Sequence, residues 1–88
     1  FSLSFNSHVI AMTNEQSNLY WYGYAWGGIF TTCQSYRENL MTSNDAKYMI
    51  GSMIEVAKEE IKDVFVYETL IKMTDKDLFQ GCRHLMPN

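Results

Sequence analysis

From Ala46 onward the apolar residues return every three or four positions. Ala46, Met49, Ile50, Met53, Ile54, Ala57, Ile61 and Val64 form the series, while Lys47, Glu55, Lys58, Glu59 and Lys62 fall largely off it. A helix with 3.6 residues per turn puts such a series on one side, so the spacing predicts an amphipathic helix beginning after Thr42. Periodicity leaves two readings of Val64-Phe65-Val66-Tyr67: the helix continues through this apolar run, or it breaks there into a short extended link. Upstream, Leu19, Tyr22, Trp26, Phe30, Cys33, Tyr36 (or Arg37) and Leu40 make a second series and predict a helix from about Asn14 to Asn39. Downstream, Leu78, Phe79, Cys82, Leu85 and Met86 predict a short closing helix stopped by Pro87.

Each series is preceded by a helix-start signal, a threonine followed three residues later by a side chain able to reach back to it. These are Thr13-Asn14-Glu15-Gln16, Thr42-Ser43-Asn44-Asp45 and Thr74-Asp75-Lys76-Asp77. The expected fold is therefore all-α, a small bundle of three or four helices, and a chain of 88 residues builds it around one core. Residues 12–88 form this single domain, preceded by residues 1–11.

The stretch from Leu19 to Phe30 departs from an ordinary amphipathic helix. Six of its twelve residues are aromatic, and on a helix they point all round the axis rather than along one stripe. One side fills the core, so the surplus needs a destination. Tyr and Trp combine rigid apolar area with a polar tip, the composition of interface anchors and of membrane-interface belts. Gly23, Gly27 and Gly28 each weaken a helix by up to about 1 kcal/mol relative to Ala. Gly23 and Gly27 lie one turn apart, and close approach of another backbone is the expected compensation. Tyr20, Trp21, Gly23, Tyr24, Trp26 and Gly27 are accordingly the candidate partner-binding residues, for a protein partner or a second copy of the chain. Central burial of this helix by its neighbours is the competing reading. A membrane role is the third, because Gln16 to Tyr36 carries no charge, but Gln16, Ser17, Asn18, Thr31, Thr32, Gln34 and Ser35 make it a poor spanning segment.

Charge narrows the classes of partner. The chain carries a net −3, and its seven Lys and Arg residues are scattered between Arg37 and Arg83, so it offers no basic stripe to a phosphate backbone. His8 and His84 stand at opposite ends, and neither has further ligands at helical spacing, so no metal site is expected. His84 near a helix C-terminus reads as a cation favourable to the dipole. Cys82 and His84 are two apart and do not face each other on a helix, and no phosphate loop, GxSxG or HExxH motif occurs, so neither catalytic residues nor a cofactor are expected. The carboxylates read as helix starts and a solvated face.

Cys33 and Cys82 have two readings. They pair in an oxidising compartment, closing a loop of about 50 residues and tying the last helix to the middle of the first, or they remain two buried thiols. Residues Phe1 to Ala11 hold no Asp, Glu, Lys or Arg, and end in Val9-Ile10-Ala11, which reads as the end of a secretory signal or as an extended arm or short strand.

Gly23-Tyr24-Ala25-Trp26-Gly27 on the first helix, followed by a threonine-started amphipathic helix and a cysteine in the last one, resembles small periplasmic immunity proteins of the Tai type. The resemblance runs from about Leu19 to Cys82 and implies an exported bacterial protein that neutralises a secreted amidase by binding it. That family usually places a cysteine just before the motif, where Trp21 stands here, so its disulfide geometry is not carried over. In style the chain is also similar to small exported bacterial proteins that pair a Y-G-Y-x-x-G helix with two cysteines. The expectation is a non-enzymatic exported domain acting by protein binding or self-association. Its alternatives are a structural accessory subunit of a larger or membrane-associated assembly and an immunity-type inhibitor.

Overall fold

A computed structural model describes residues 12–74 and 79–87. The expectations for residues 1–11, including His8 and the Val9-Ile10-Ala11 signal, and for Asp75 to Leu78 lie outside them. The described residues form three α-helices and a 3-10 turn. The helices are α1 (Asn14–Arg37), α2 (Ser43–Glu60) and α3 (Val64–Met73), and the turn is Arg83–Leu85. The all-α bundle expected from periodicity is the fold.

Local chemistry starts the first two helices where the threonines stand. Thr13 Oγ1 accepts the Gln16 N–H at 3.1 Å, and the Gln16 side chain accepts the Thr13 N–H at 3.0 Å, a complete capping box. Thr42 Oγ1 accepts from Asp45 N at 3.1 Å. Thr74 is the C-cap of α3, and its hydroxyl donates to the Ile71 carbonyl at 2.6 Å; the helix start expected after it falls outside the described residues. The start that threonine spacing overlooks is Asp63, whose carboxylate accepts from Phe65 N at 2.9 Å and Val66 N at 3.4 Å. Ile61 and Asp63 have extended backbones, ψ 110° and 113°, so α2 breaks before the Val64-Phe65-Val66-Tyr67 run, and that run opens a new helix.

Helix α1 ends two residues earlier than expected. Asn39 takes the left-handed conformation, φ 62°, and Leu40 N returns to Ser35 O at 2.9 Å, a C-terminal closure that asparagine tolerates better than most residues. Leu40 is then outside the helix and exposed.

The core has two parts. Ile29, Cys33, Ala46, Ile50, Phe79, Cys82 and Leu85 form one cluster, and Ala25, Ala57, Ile61 and Leu70 form the other. Trp26 packs against both, stacked on Phe30 at 5.3 Å and edge-on to Phe79 at 5.9 Å. Its Nε1 is buried and has no hydrogen-bond partner among the described residues. On α2 the predicted stripe is the buried one through Ala46, Ile50, Ala57 and Ile61, although Met49 lies at its exposed edge.

On α1 the buried line runs through Asn18, Ala25, Ile29, Thr32 and Cys33; it meets the predicted series at Cys33, whereas Leu19, Tyr22, Trp26 and Phe30 of that series lie beside it. The bulky rings Trp21, Tyr22, Trp26 and Phe30 flank that line half-buried. The close approach predicted at Gly23 and Gly27 occurs instead at Gly28, where an added Cβ would stand 2.8 Å from Met53 Sδ; Gly23 and Gly27 have open space around them. Both buried polar residues on this line are satisfied: Thr32 Oγ1 donates to Gly28 O at 2.8 Å, and Asn18 Oδ1 accepts from Lys62 N at 2.8 Å.

Cys33 and Cys82 form a disulfide with their Cα atoms 5.9 Å apart, which joins the C-terminal segment to α1 as the bonded reading anticipated. Gly81, at φ 87°, makes the turn that brings Cys82 inward. Arg37 donates to Gln80 O at 2.8 Å, and Tyr36 and His84 meet through Tyr36 Oη and His84 Nε2 at 3.2 Å. His84 is therefore engaged with Tyr36 on α1.

Candidate functional site: the outer face of helix α1

Because Ala25, Ile29, Thr32 and Cys33 turn inward, the opposite side of α1 is set by helical geometry. Gln16, Tyr20, Gly23, Tyr24, Gly27, Thr31 and Gln34 lie there, all exposed except the half-buried Gly27. A solvent-facing helix side ordinarily carries charge. This one carries none over five turns.

Its centre is aromatic. Tyr20 and Tyr24, four residues apart, are 53% and 48% exposed and stack with ring centroids 6.3 Å apart at 15°. Trp21 stands edge-on to both, at 5.0 Å and 5.4 Å. The three rings brace one another, so much of the rotamer entropy that a partner would have to remove is already gone. Beside them, Gly23 and Gly27 leave a shallow notch into which a neighbouring side chain could descend, since nothing lies within 4 Å of either missing Cβ.

The bond from Lys62 N to Asn18 sets the start of α3 beside the early turns of α1. Leu19, Val64 and Phe65 are 64%, 69% and 76% exposed at that end of the molecule. Single exposed apolar residues are normal; three at one end of the molecule, beside an uncharged helix face, are what makes this surface the candidate site.

Of the candidate residues, Tyr20, Gly23, Tyr24 and Gly27 come together on this face. Trp21 sits at its margin, half-buried against the second core cluster. Trp26 is not part of it; its ring fills the junction between the two core clusters. Leu19, Val64 and Phe65 were missed. The first two had been placed on core stripes, and the exposure of all three depends on how α1 is rotated and where α3 begins.

Among the described residues, no group of three or more His, Cys, Asp and Glu is placed to hold a metal ion. No helix among them is long and apolar enough to cross a membrane. The cysteine sulfurs are joined to each other, and His84 has Tyr36 as its neighbour. Compared with known proteins, the chain matches no family model, no curated protein and no solved structure.

Proposed function

We propose that this chain is a non-enzymatic, exported helical domain that acts by binding a protein partner, or a second copy of itself, through the outer face of α1. The observation that carries this reading is the absence of charge around the exposed Tyr20–Tyr24 pair. Interface centres are depleted of charged residues and enriched in Tyr and Trp, and two stacked tyrosines left in water by their own fold have that character. A bilayer surface fits less well, because membrane-surface helices flank their apolar side with Lys or Arg, and this face has neither. The Cys33–Cys82 disulfide supports export, since such bonds persist in oxidising compartments. A secreted effector enzyme, as the immunity-type resemblance implies, is one partner of the required kind.

The test is the double substitution Tyr20→Ala with Tyr24→Ala. Both side chains are exposed, so stability should change by no more than about 0.5 kcal/mol, while self-association in sedimentation velocity, or recovery of the specific partner identified by mass spectrometry from the native source, is lost. Trp21→Ala is a poorer probe, because that ring also rests on the core. Unchanged association in the double variant refutes the assignment. An intact mass measured without reductant on native material tests the export reading through the chain's start and its disulfide.

A further inference from the structure

A second surface stands apart from the α1 face, and its argument is independent of that reading. A groove of 1180 Å³ runs between α2 and α3 and ends against the Arg83–Pro87 segment. It exceeds the roughly 300–1,000 Å³ of small-molecule pockets and opens to solvent. Its apolar wall includes Ile54, Tyr67, Ile71 and Met86. Its charges run against those of the protein. Among the described residues that line it, Lys47, Lys58 and Lys72 outnumber Glu55 and Glu68, in a chain whose net charge is −3. Glu55 and Glu68 stand three and four residues before Lys58 and Lys72, at spacings where exposed helix pairs are weak and easily exchanged for a better partner. Lys47 has no carboxylate at either spacing on its own helix.

Gly51 adds an observation of another kind. It lies inside α2, where glycine weakens a helix, yet nothing approaches within 4 Å of its missing Cβ. Internal packing therefore does not explain it. What its bareness does is keep the wall of the groove open, since Gly51 lines it.

We propose that this groove docks an acidic amphipathic helix of a protein partner, its apolar stripe on Ile54, Ile71 and Met86 and its carboxylates toward Lys47, Lys58 and Lys72. A concave trough between two helices suits a rod about 10 Å across and cannot be filled by a flat bilayer. A second copy presented through the outer face of its α1 fits poorly, because that face offers no carboxylate.

The test pans a random library of about 14-residue peptides, long enough for roughly 21 Å of helix, on the immobilised full-length, disulfide-bonded chain. Enriched peptides should carry Asp or Glu beside apolar residues spaced by three and four. A synthetic representative, followed by fluorescence anisotropy, should lose at least about tenfold in affinity for Lys47→Glu/Lys58→Glu/Lys72→Glu and weaken as salt shortens the Debye length from about 10 Å to about 3 Å. Gly51→Leu, which has room to fold, should block it as well, and if that variant misfolds, the charge-reversed variant, altered only at exposed lysines, still decides. Binding should survive Tyr20→Ala/Tyr24→Ala; loss there moves the site to the α1 face and overturns the groove. The proposal also fails if no peptide is enriched, if enriched peptides lack an acidic excess, if both groove variants bind as well as wild type, or if the chain instead co-sediments with phosphatidylserine vesicles in a lysine-dependent way.

Discussion

Reducing the Cys33–Cys82 bond should lower the melting temperature by about 20 °C. The bond closes a loop with a sequence separation of 49. In the chain-entropy treatment, a cross-link of that span removes enough freedom from the unfolded chain to be worth about 4 kcal/mol at 25 °C. For a domain of this size each kcal/mol moves the midpoint by about 4–8 °C. Both cysteines are fully buried among Ile29, Ile50, Phe79 and Leu85, so reduction is done in denaturant, followed by refolding with reductant present. Thermal melts by circular dichroism then compare oxidised and reduced chains, and urea titrations give the dependence of stability on denaturant. If the cross-link acts on the unfolded state, the reduced chain exposes more surface on unfolding and its urea slope rises. A drop below about 5 °C, or an unchanged slope, would show that packing of the C-terminal segment on α1, through Phe79, Leu85 and the Arg37–Gln80 bond, holds it without help from restricted chain entropy.

Three glycines on one helix should respond with opposite signs. Gly23→Ala and Gly27→Ala meet open space and should each stabilise α1 by up to about 1 kcal/mol in urea unfolding; if they destabilise it, the notch is not open. Gly28→Ala must displace Met53 and should gain less than either or lose stability outright, and a full gain would contradict the close approach. Asn18→Leu removes the acceptor for Lys62 N and should cost about 1–3 kcal/mol, with faster amide exchange at Lys62 in the link between α2 and α3. A cost near zero would show that water replaces the side chain.

Interactions that span a few residues were legible in the sequence. The Thr13 box and the Thr42 cap each close within three positions, so their chemistry is present before any tertiary contact forms. The α2 stripe was equally plain, because its polar residues leave only one side to bury. Asp63 shows the limit of the same logic: its carboxylate caps α3 over two and three positions, yet nothing in the local spacing told whether α2 ran on through it or broke before it. The candidate site was half legible. The surplus of rings between Tyr20 and Phe30 announced a surface, but a helix aromatic all round gives no direction to its own burial. Only tertiary packing, which buries Ala25, Ile29, Thr32 and Cys33 and brings Met53 of α2 against Gly28, turned Tyr20 and Tyr24 outward and Trp26 inward. The pairing of Cys33 with Cys82 and the groove beside Gly51 are likewise tertiary, because each joins residues far apart in the chain whose distance is set by the fold.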